Sequence, residues 1–222
     1  MENVENLETK AQKNIDIARK EKLIINDLKI AAIQEQKSSK LREKLVNNEI
    51  ELAKLKLNLA EKSKKLVESK EQVKDILKFS NNNLKNEEDY AIYNTKIAVI
   101  KKSIAEIQRK IAHLEKQIAN DELNIINEKI IVANERDLLG KEQLKFVKLV
   151  KYSAPNEKLT KAEELWLKQE KKLNHAIKNV YNKTIEIRAK EDRLADFKKE
   201  LSVKLAEREK IRPPRDKFPT NE

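Results

Sequence analysis

The side chains of this sequence that could do chemistry are two histidines and many carboxylates. His113 and His175 are far apart in the chain, and neither begins an H-E-x-x-H motif or another spacing typical of a zinc site. Glu87, Glu88 and Asp89 form an acidic run, but carboxylates elsewhere alternate with Lys in the pattern of a solvated helix surface. We therefore predict no catalytic residue and no metal site.

Glycine and cysteine usage excludes further classes of enzyme. The chain has one glycine, Gly140, whereas phosphate-binding and dinucleotide-binding loops need several glycines where backbone approaches phosphate. It has no cysteine, which excludes disulfides, thiolate metal ligands and cysteine nucleophiles. We expect a protein that is not an enzyme and uses no cofactor.

The start of the chain and its hydropathy bear on location. The first residues are polar and include Glu2, Glu5 and Glu8, unlike a secretory signal. Lys, Glu or Asn interrupts every apolar run well short of the roughly 20 residues that a membrane-spanning helix needs. We expect a cytoplasmic, intracellular protein, either soluble or part of a large assembly.

The composition favours long helices over a compact globule. Charged residues make up 39% of the chain and aromatic residues only 4%, so a thick central core is excluded. The 39% of hydrophobic residues is sufficient for narrow seams between helices. These residues are regularly spaced, which argues against disorder of the main body.

Three groups of helix-breaking residues divide the chain. They are the asparagine triplet at 81–83, the segment around Pro155, and the pair Pro213 and Pro214. The intervals predict three helices, at about 4–79, 84–152 and 159–211. As domains, we predict a hairpin over 1–152 that turns near 80–84, a third helix over 153–212 on the base of the hairpin, and an extended proline-containing tail over 213–222.

Two apolar stripes with coiled-coil spacing lie on either side of the predicted turn. Their spacing alternates between four and three residues, which keeps one edge of a helix against a partner. The second helix has Tyr93, Ile97, Ile100, Ile104, Ile107, Ile111, Leu114 and Ile118, and the first has Leu41, Leu45, Leu52, Leu55, Leu59, Leu66, Val73 and Ile76. We predict that the two stripes face each other, with Leu59 opposite Ile107 and Leu52 opposite Leu114.

A third stripe predicts how the last helix packs. Its members are Leu173, Ile177, Val180, Thr184, Ile187, Leu194, Leu201 and Leu205. The second helix becomes apolar over a wider face beyond Ile118, which requires a second contact there. The predicted fold is therefore all-α: an elongated antiparallel coiled-coil hairpin with a third long helix folding back, a rod with a three-stranded base and a two-stranded tip.

Gly140 lies inside the helical pattern of the second helix. A glycine there costs about 1 kcal/mol relative to alanine. It indicates either a hinge or close helix crossing, or a tolerated and locally frayed position.

Several apolar residues are candidates for partner binding. Leu23, Ile24, Ile30 and Ile33 are apolar on several sides of the first helix, which favours burial against helix three or another chain. Trp166 is expected to pack across the turn against Tyr152 or the N-terminal part of the first helix, or to anchor a partner if exposed. Phe218 lies in the proline-containing tail, which resembles either a docking peptide or a plain disordered end.

The net charge of +11 introduces two alternatives to a purely structural role. Most of the surplus lies from Lys141 onward, and could bind an anionic membrane, as a BAR-like helical protein does, or nucleic acid. Lys and Glu are interleaved there, which also fits an ordinary solvated surface.

The leading hypothesis is a non-enzymatic coiled-coil scaffold that spaces or bridges components of a larger macromolecular complex. Its partners are other proteins of that assembly, with a homo-oligomer as an alternative. An acidic surface, either membrane or nucleic acid, is the less favoured partner.

Overall fold

A computed structural model describes residues 2–73 and 81–214. It contains three long helices, α1 (Glu2–Gln72), α2 (Asn81–Lys151) and α3 (Asn156–Lys210), and the described residues include no strand. α2 contacts both α1 and α3, antiparallel in each case. The predicted all-α fold of a helical hairpin with a third helix folding back is confirmed.

The first connection differs from the prediction. α2 begins at Asn81, so the asparagine triplet lies in the first turn of α2 and does not form the turn itself. Asparagine is favoured at helix starts, where its short side chain satisfies free backbone N–H groups, so a run of it does not by itself break a helix. Residues 74–80, which include Ile76, lie outside the described residues.

The second connection, between α2 and α3, lies around Pro155, as the sequence predicts. Ser153 has a φ of 49°, a left-handed conformation that is uncommon for residues other than glycine. The Ala154 N–H donates to the Leu149 carbonyl at 2.9 Å, and the Ser153 N–H donates to the Val150 carbonyl at 3.0 Å. These two bonds form a Schellman motif, which ends α2. The Pro155 carbonyl then accepts from Leu159 and so begins α3.

The contacts divide the chain into two units. Unit 1 is Met1–Ser38 with Gln117–Glu191, and unit 2 is Ser39–Lys116 with Asp192–Glu222. Each unit contains a part of all three helices.

In unit 1, α1 and α2 meet through small and medium-sized apolar residues. Ile25, Ala32, Ile126 and Ala133 form one buried cluster. Ala11 and Ala18 continue the same spacing of seven on α1 and are also buried. Polar pairs support the seam: the Asn14 amide donates to Gln143 Oε1 at 3.1 Å, and Arg136 pairs with Glu21.

Gly140 belongs to the α2 side of this seam. A Cβ at Gly140 would lie 2.7 Å from the Ala11 carbonyl oxygen and 2.7 Å from Ile15 Cγ1, closer than such atoms approach. The glycine therefore permits a close crossing of α1 and α2. Of the alternatives that the sequence left open for Gly140, the structure supports this close crossing.

In unit 2, the α1–α2 seam is also built from small residues. Ala53 and Ala105 are buried with Ile50 in one cluster. Along α2 the seam recurs at every seventh position and is buried throughout, at Leu84, Ala91, Ala98, Ala105 and Ala112. Apart from Leu84 these residues are alanines, and we call the set the alanine face of α2. Alanine faces let two helix backbones approach closely, because side chains at the contact set the distance between the axes.

The predicted register between α1 and α2 is wrong. Arg42 contacts Glu115 at 3.4 Å and Lys70 contacts Glu87 at 2.8 Å, so each α1 residue meets a part of α2 about one heptad earlier than predicted. Leu59 is 69% exposed and does not face Ile107, which is buried. The physical reason is that α2 has two apolar faces, and α1 packs on the alanine face.

The isoleucine stripe of α2 lies along α3. In unit 2 its buried members are Ile104, Ile107, Ile111 and Leu114, which we call the isoleucine seam. Residues beside it contact α3: Lys110 Nζ lies 5.4 Å from the centre of the Phe197 ring, and Lys198 pairs with Glu115 at 3.3 Å. These contacts place α3 beside the isoleucine seam.

α3 packs largely as its stripe predicts. Leu173 and Ile187 are buried, and Val180, Thr184, Leu194, Leu201 and Leu205 are partly buried. Ile177 is exposed, and Ala176 is buried in its place. The end of α3 also lines a groove with Lys85 and Lys96, near the start of α2. The predicted two-stranded tip is therefore wrong, because α3 extends along α2 to that point in unit 2.

Candidate protein-interaction surface

The most prominent apolar surface of unit 2 is on α1. Six leucines of that helix are between 51% and 69% exposed, at Leu41, Leu45, Leu52, Leu55, Leu59 and Leu66. We call this set the leucine face. The buried Ala53, Ala60 and Val67 each follow one of these leucines directly. One residue along an α-helix is a rotation of about 100°, so these leucines lie to one side of the contact with α2, which leaves them exposed.

The spacing of the leucine face is that of a coiled-coil seam. Leu45, Leu52, Leu59 and Leu66 recur every seven residues, Leu55 lies between Leu52 and Leu59, and Leu41 comes four residues before Leu45. Such a narrow stripe matches the apolar edge of one further helix. Asn48 and Lys62 interrupt the stripe, and both side chains are exposed.

The charges beside the leucine face are mainly positive. Lys44, Lys56 and Lys65 lie on its two flanks, at positions next to the stripe. Of the two flanking carboxylates, Glu49 and Glu51, the second already pairs with Lys54 at 2.8 Å. The surface therefore combines exposed aliphatic side chains with a surplus of lysine.

The apolar candidates of unit 1 are also largely exposed. Leu23, Ile24 and Ile30 are each more than half exposed, and Ile33 is partly buried. The sequence predicts burial of this cluster against helix three or another chain. Within unit 1, however, α3 leaves Leu23, Ile24 and Ile30 exposed. Their role in partner binding stays a prediction.

Trp166 packs within the protein. Its ring lies edge-on to Phe146 with the ring centres 5.2 Å apart, and its indole N–H is buried with no hydrogen-bond partner among the described residues. The expected partner Tyr152 is 84% exposed, so that pairing is wrong. Tyr152 lies past the end of α2, in the turn, whereas Phe146 lies within α2 and packs against Trp166 of α3. Phe218 lies outside the described residues.

The two histidines belong to different helices, His113 to α2 in unit 2 and His175 to α3 in unit 1. His113 Nδ1 lies 3.0 Å from Glu43 Oε1, and Lys116 donates to the other oxygen of Glu43 at 2.6 Å. Hydrogen bonds from Lys116 and then His113 hold the pKa of Glu43 below its usual value. This cluster links α1 to α2 in unit 2, and groups of metal-ligating side chains were not found anywhere in the described ranges.

Two other carboxylates have shifted pKa values in unit 1. The hydrogen bond from Lys141, aided by Lys22, lowers the pKa of Asp137. Partial burial, followed by the nearby carboxylates of Glu191 and Glu35, raises the pKa of Glu122. Asp137 pairs with Lys22 of α1 as well as with Lys141 of its own helix.

A basic groove lies on α3 in unit 1. It is lined by Lys168, Lys171, Lys172 and His175, together with two carboxylates of α2. The groove is open, and its acidic wall reduces the local positive charge.

Sequence reasoning assigned the leucine face to the interior of the hairpin and so missed it as a surface. The signal that could have located it is the strict seven-residue recurrence of alanine in α2, at Ala91, Ala98, Ala105, Ala112 and Ala119. Because α2 has two apolar faces, α1 can pack on one of them and α3 on the other.

Among the described residues, no helix combines the length and apolar character that crossing a bilayer requires. No family model, curated protein or solved structure matches the chain.

Proposed function

We propose that this chain is a non-enzymatic coiled-coil structural protein that joins components of a larger assembly. The observation that carries the proposal is the leucine face, an exposed coiled-coil seam beside a helix pair that is already packed. Large contiguous apolar surfaces on soluble proteins usually mark sites of interaction. The leucine face is the contact surface in this proposal.

The leucine face exposes apolar surface that a partner can bury. Covering one leucine side chain contributes about 1.5–3 kcal/mol, and the leucine face has several that α2 does not cover. Association costs part of this gain in lost motion, so only a surface of several such residues supports stable binding. A partner helix along the face meets this requirement.

Binding of an anionic membrane surface is a second candidate. It is favoured by the lysines of the basic groove on α3, at Lys168, Lys171 and Lys172. Co-sedimentation with vesicles that contain anionic lipid tests it, since such binding falls as salt rises.

Affinity purification from the native source tests the assembly proposal. The full chain is compared with the double variant Leu52→Lys and Leu59→Lys, which places charge on the leucine face. The matched control is the double variant Leu165→Lys and Leu167→Lys, which makes the same change at exposed leucines of α3. Circular dichroism establishes that all three proteins remain helical.

The proposal predicts that the wild-type chain and the α3 control retain a common set of proteins that the Leu52 and Leu59 variant loses. An identical set from all three proteins, or no retained protein from any, contradicts it.

A further inference from the structure

We infer that the leucine face is occupied by a separate amphipathic helix whose flanking residues are acidic. The inference rests on the proposed assembly function and specifies the chemistry of the partner. Its two supports are the spacing of the leucines and the charge beside them.

The spacing determines the shape of the occupant. The leucine face runs from Leu41 to Leu66, a distance of about 38 Å along the helix axis. A partner helix of about four heptads covers this length, with its own apolar residues alternating every three and four positions. The narrow stripe suits one helix better than the wide apolar contact of a sheet or a globular domain.

The charge determines the flanks of the occupant. The face carries Lys44, Lys56, Lys62 and Lys65 against two flanking carboxylates, Glu49 and Glu51, of which Glu51 already pairs with Lys54. In a coiled coil the residues beside the seam set partner choice through pairing of opposite charges. A helix with glutamate or aspartate at these positions therefore complements the face.

A second copy of the chain is a poorer match. It brings the same lysines to the contact, and each chain carries a net charge of +11. Repulsion between like charges opposes such pairing. Self-association is accordingly an outcome that the experiment must detect.

Titration with designed peptides tests the inference. The probe is a fluorescent four-heptad peptide with leucine at both seam positions and glutamate on both flanks, and the control peptide has lysine on the flanks. Each is titrated with the full chain at low and at high salt. The acidic peptide is expected to bind at least about tenfold tighter than the basic one, and to weaken with salt.

Two variants of the chain make the result specific. The Leu52→Lys and Leu59→Lys variant should lose binding of the acidic peptide. The triple variant Lys56→Glu, Lys62→Glu and Lys65→Glu should reverse the preference toward the basic peptide. The α3 control, Leu165→Lys with Leu167→Lys, should bind as the wild type does.

Other outcomes overturn the inference. Equal binding of both peptides, binding that ignores the triple variant, or no binding of either peptide shows that the face does not select an acidic helix. Dimerisation in analytical ultracentrifugation that the Leu52 and Leu59 variant abolishes shows that a second copy occupies the face. These results leave the assembly proposal standing if purified partners still depend on the leucine face, so the two failures can be told apart.

Discussion

α2 of unit 2 has two seams of opposite character. Its contact with α1 is made of alanines such as Ala98 and Ala105, whereas the isoleucine seam beside α3 contains Ile107 and Ile111. Small residues stabilise a contact by letting backbones approach, and large residues stabilise it by the apolar area they bury. The difference teaches that the largest apolar side chains of two helices need not meet each other.

The largest expected difference in stability is between variants of Ile107 and of Leu59, the two residues that the sequence predicts to face each other. Ile107→Ala removes a side chain that is 3% exposed and should lower the free energy of unfolding by about 2–5 kcal/mol. Leu59→Ala alters an exposed side chain and should change it by less than about 0.5 kcal/mol. Urea denaturation measures both. Similar large losses for the two variants would mean that these residues are partners after all.

Overfilling the alanine contact should have the next largest effect. Ala105→Leu adds volume where α1 and α2 pack closely, and we expect a loss of about 1–3 kcal/mol. Ala195→Leu makes the same change at an exposed position of α3 and should be nearly neutral. Thermal unfolding of the two variants checks this, and a stabilised Ala105→Leu protein would be incompatible with a close contact.

Gly140 allows the same test in unit 1. Gly140→Ala gains about 1 kcal/mol of helix propensity but places a Cβ against the Ala11 carbonyl and Ile15. The backbone shift should outweigh that gain and leave a net loss of about 1 kcal/mol. Asn134→Ala, at an exposed position of α2, should be neutral or slightly stabilising. Gly140→Ala that is more stable than the wild type would show that no close crossing exists.

The smallest expected effect concerns the ion pairs of Glu43. Its folded-state pKa lies below the unfolded value, so the charged form stabilises the fold above the unfolded pKa, and this contribution is lost as pH falls through the folded pKa. Glu43→Gln should therefore melt slightly earlier than the wild type at pH 7, and the two should converge at acidic pH. Melting curves across this range test it, and a constant difference at every pH would refute the pairing.

The sequence predicts the helices well because their causes are local. The small number of glycines and prolines and the alternating spacing of aliphatic residues act within each segment, so three helices and the break near Pro155 follow directly. The apolar seam of α3 can be predicted for the same reason. Its one exception is Ile177, which is exposed, while the neighbouring Ala176 is buried instead.

Register was harder to predict because it depends on competition between helices. The leucines of α1 and the alanines of α1 both recur every seven residues, so each set by itself is a plausible seam. The choice depends on α3, whose Phe197 lies against Lys110, beside the isoleucine seam of α2. That choice also decides the candidate site, since the leucine face exists only when α1 presents its alanines to α2.

Cysteine crosslinking in the full chain tests this central claim most directly, because the chain has no cysteine of its own. Ala53→Cys with Ala105→Cys should form a disulfide within one molecule on mild oxidation, since both residues lie in one buried cluster. Leu59→Cys with Ile107→Cys should stay reduced, because these positions are offset by about 12 Å along the helix axis. Ready closure of the second pair and not of the first would contradict the account.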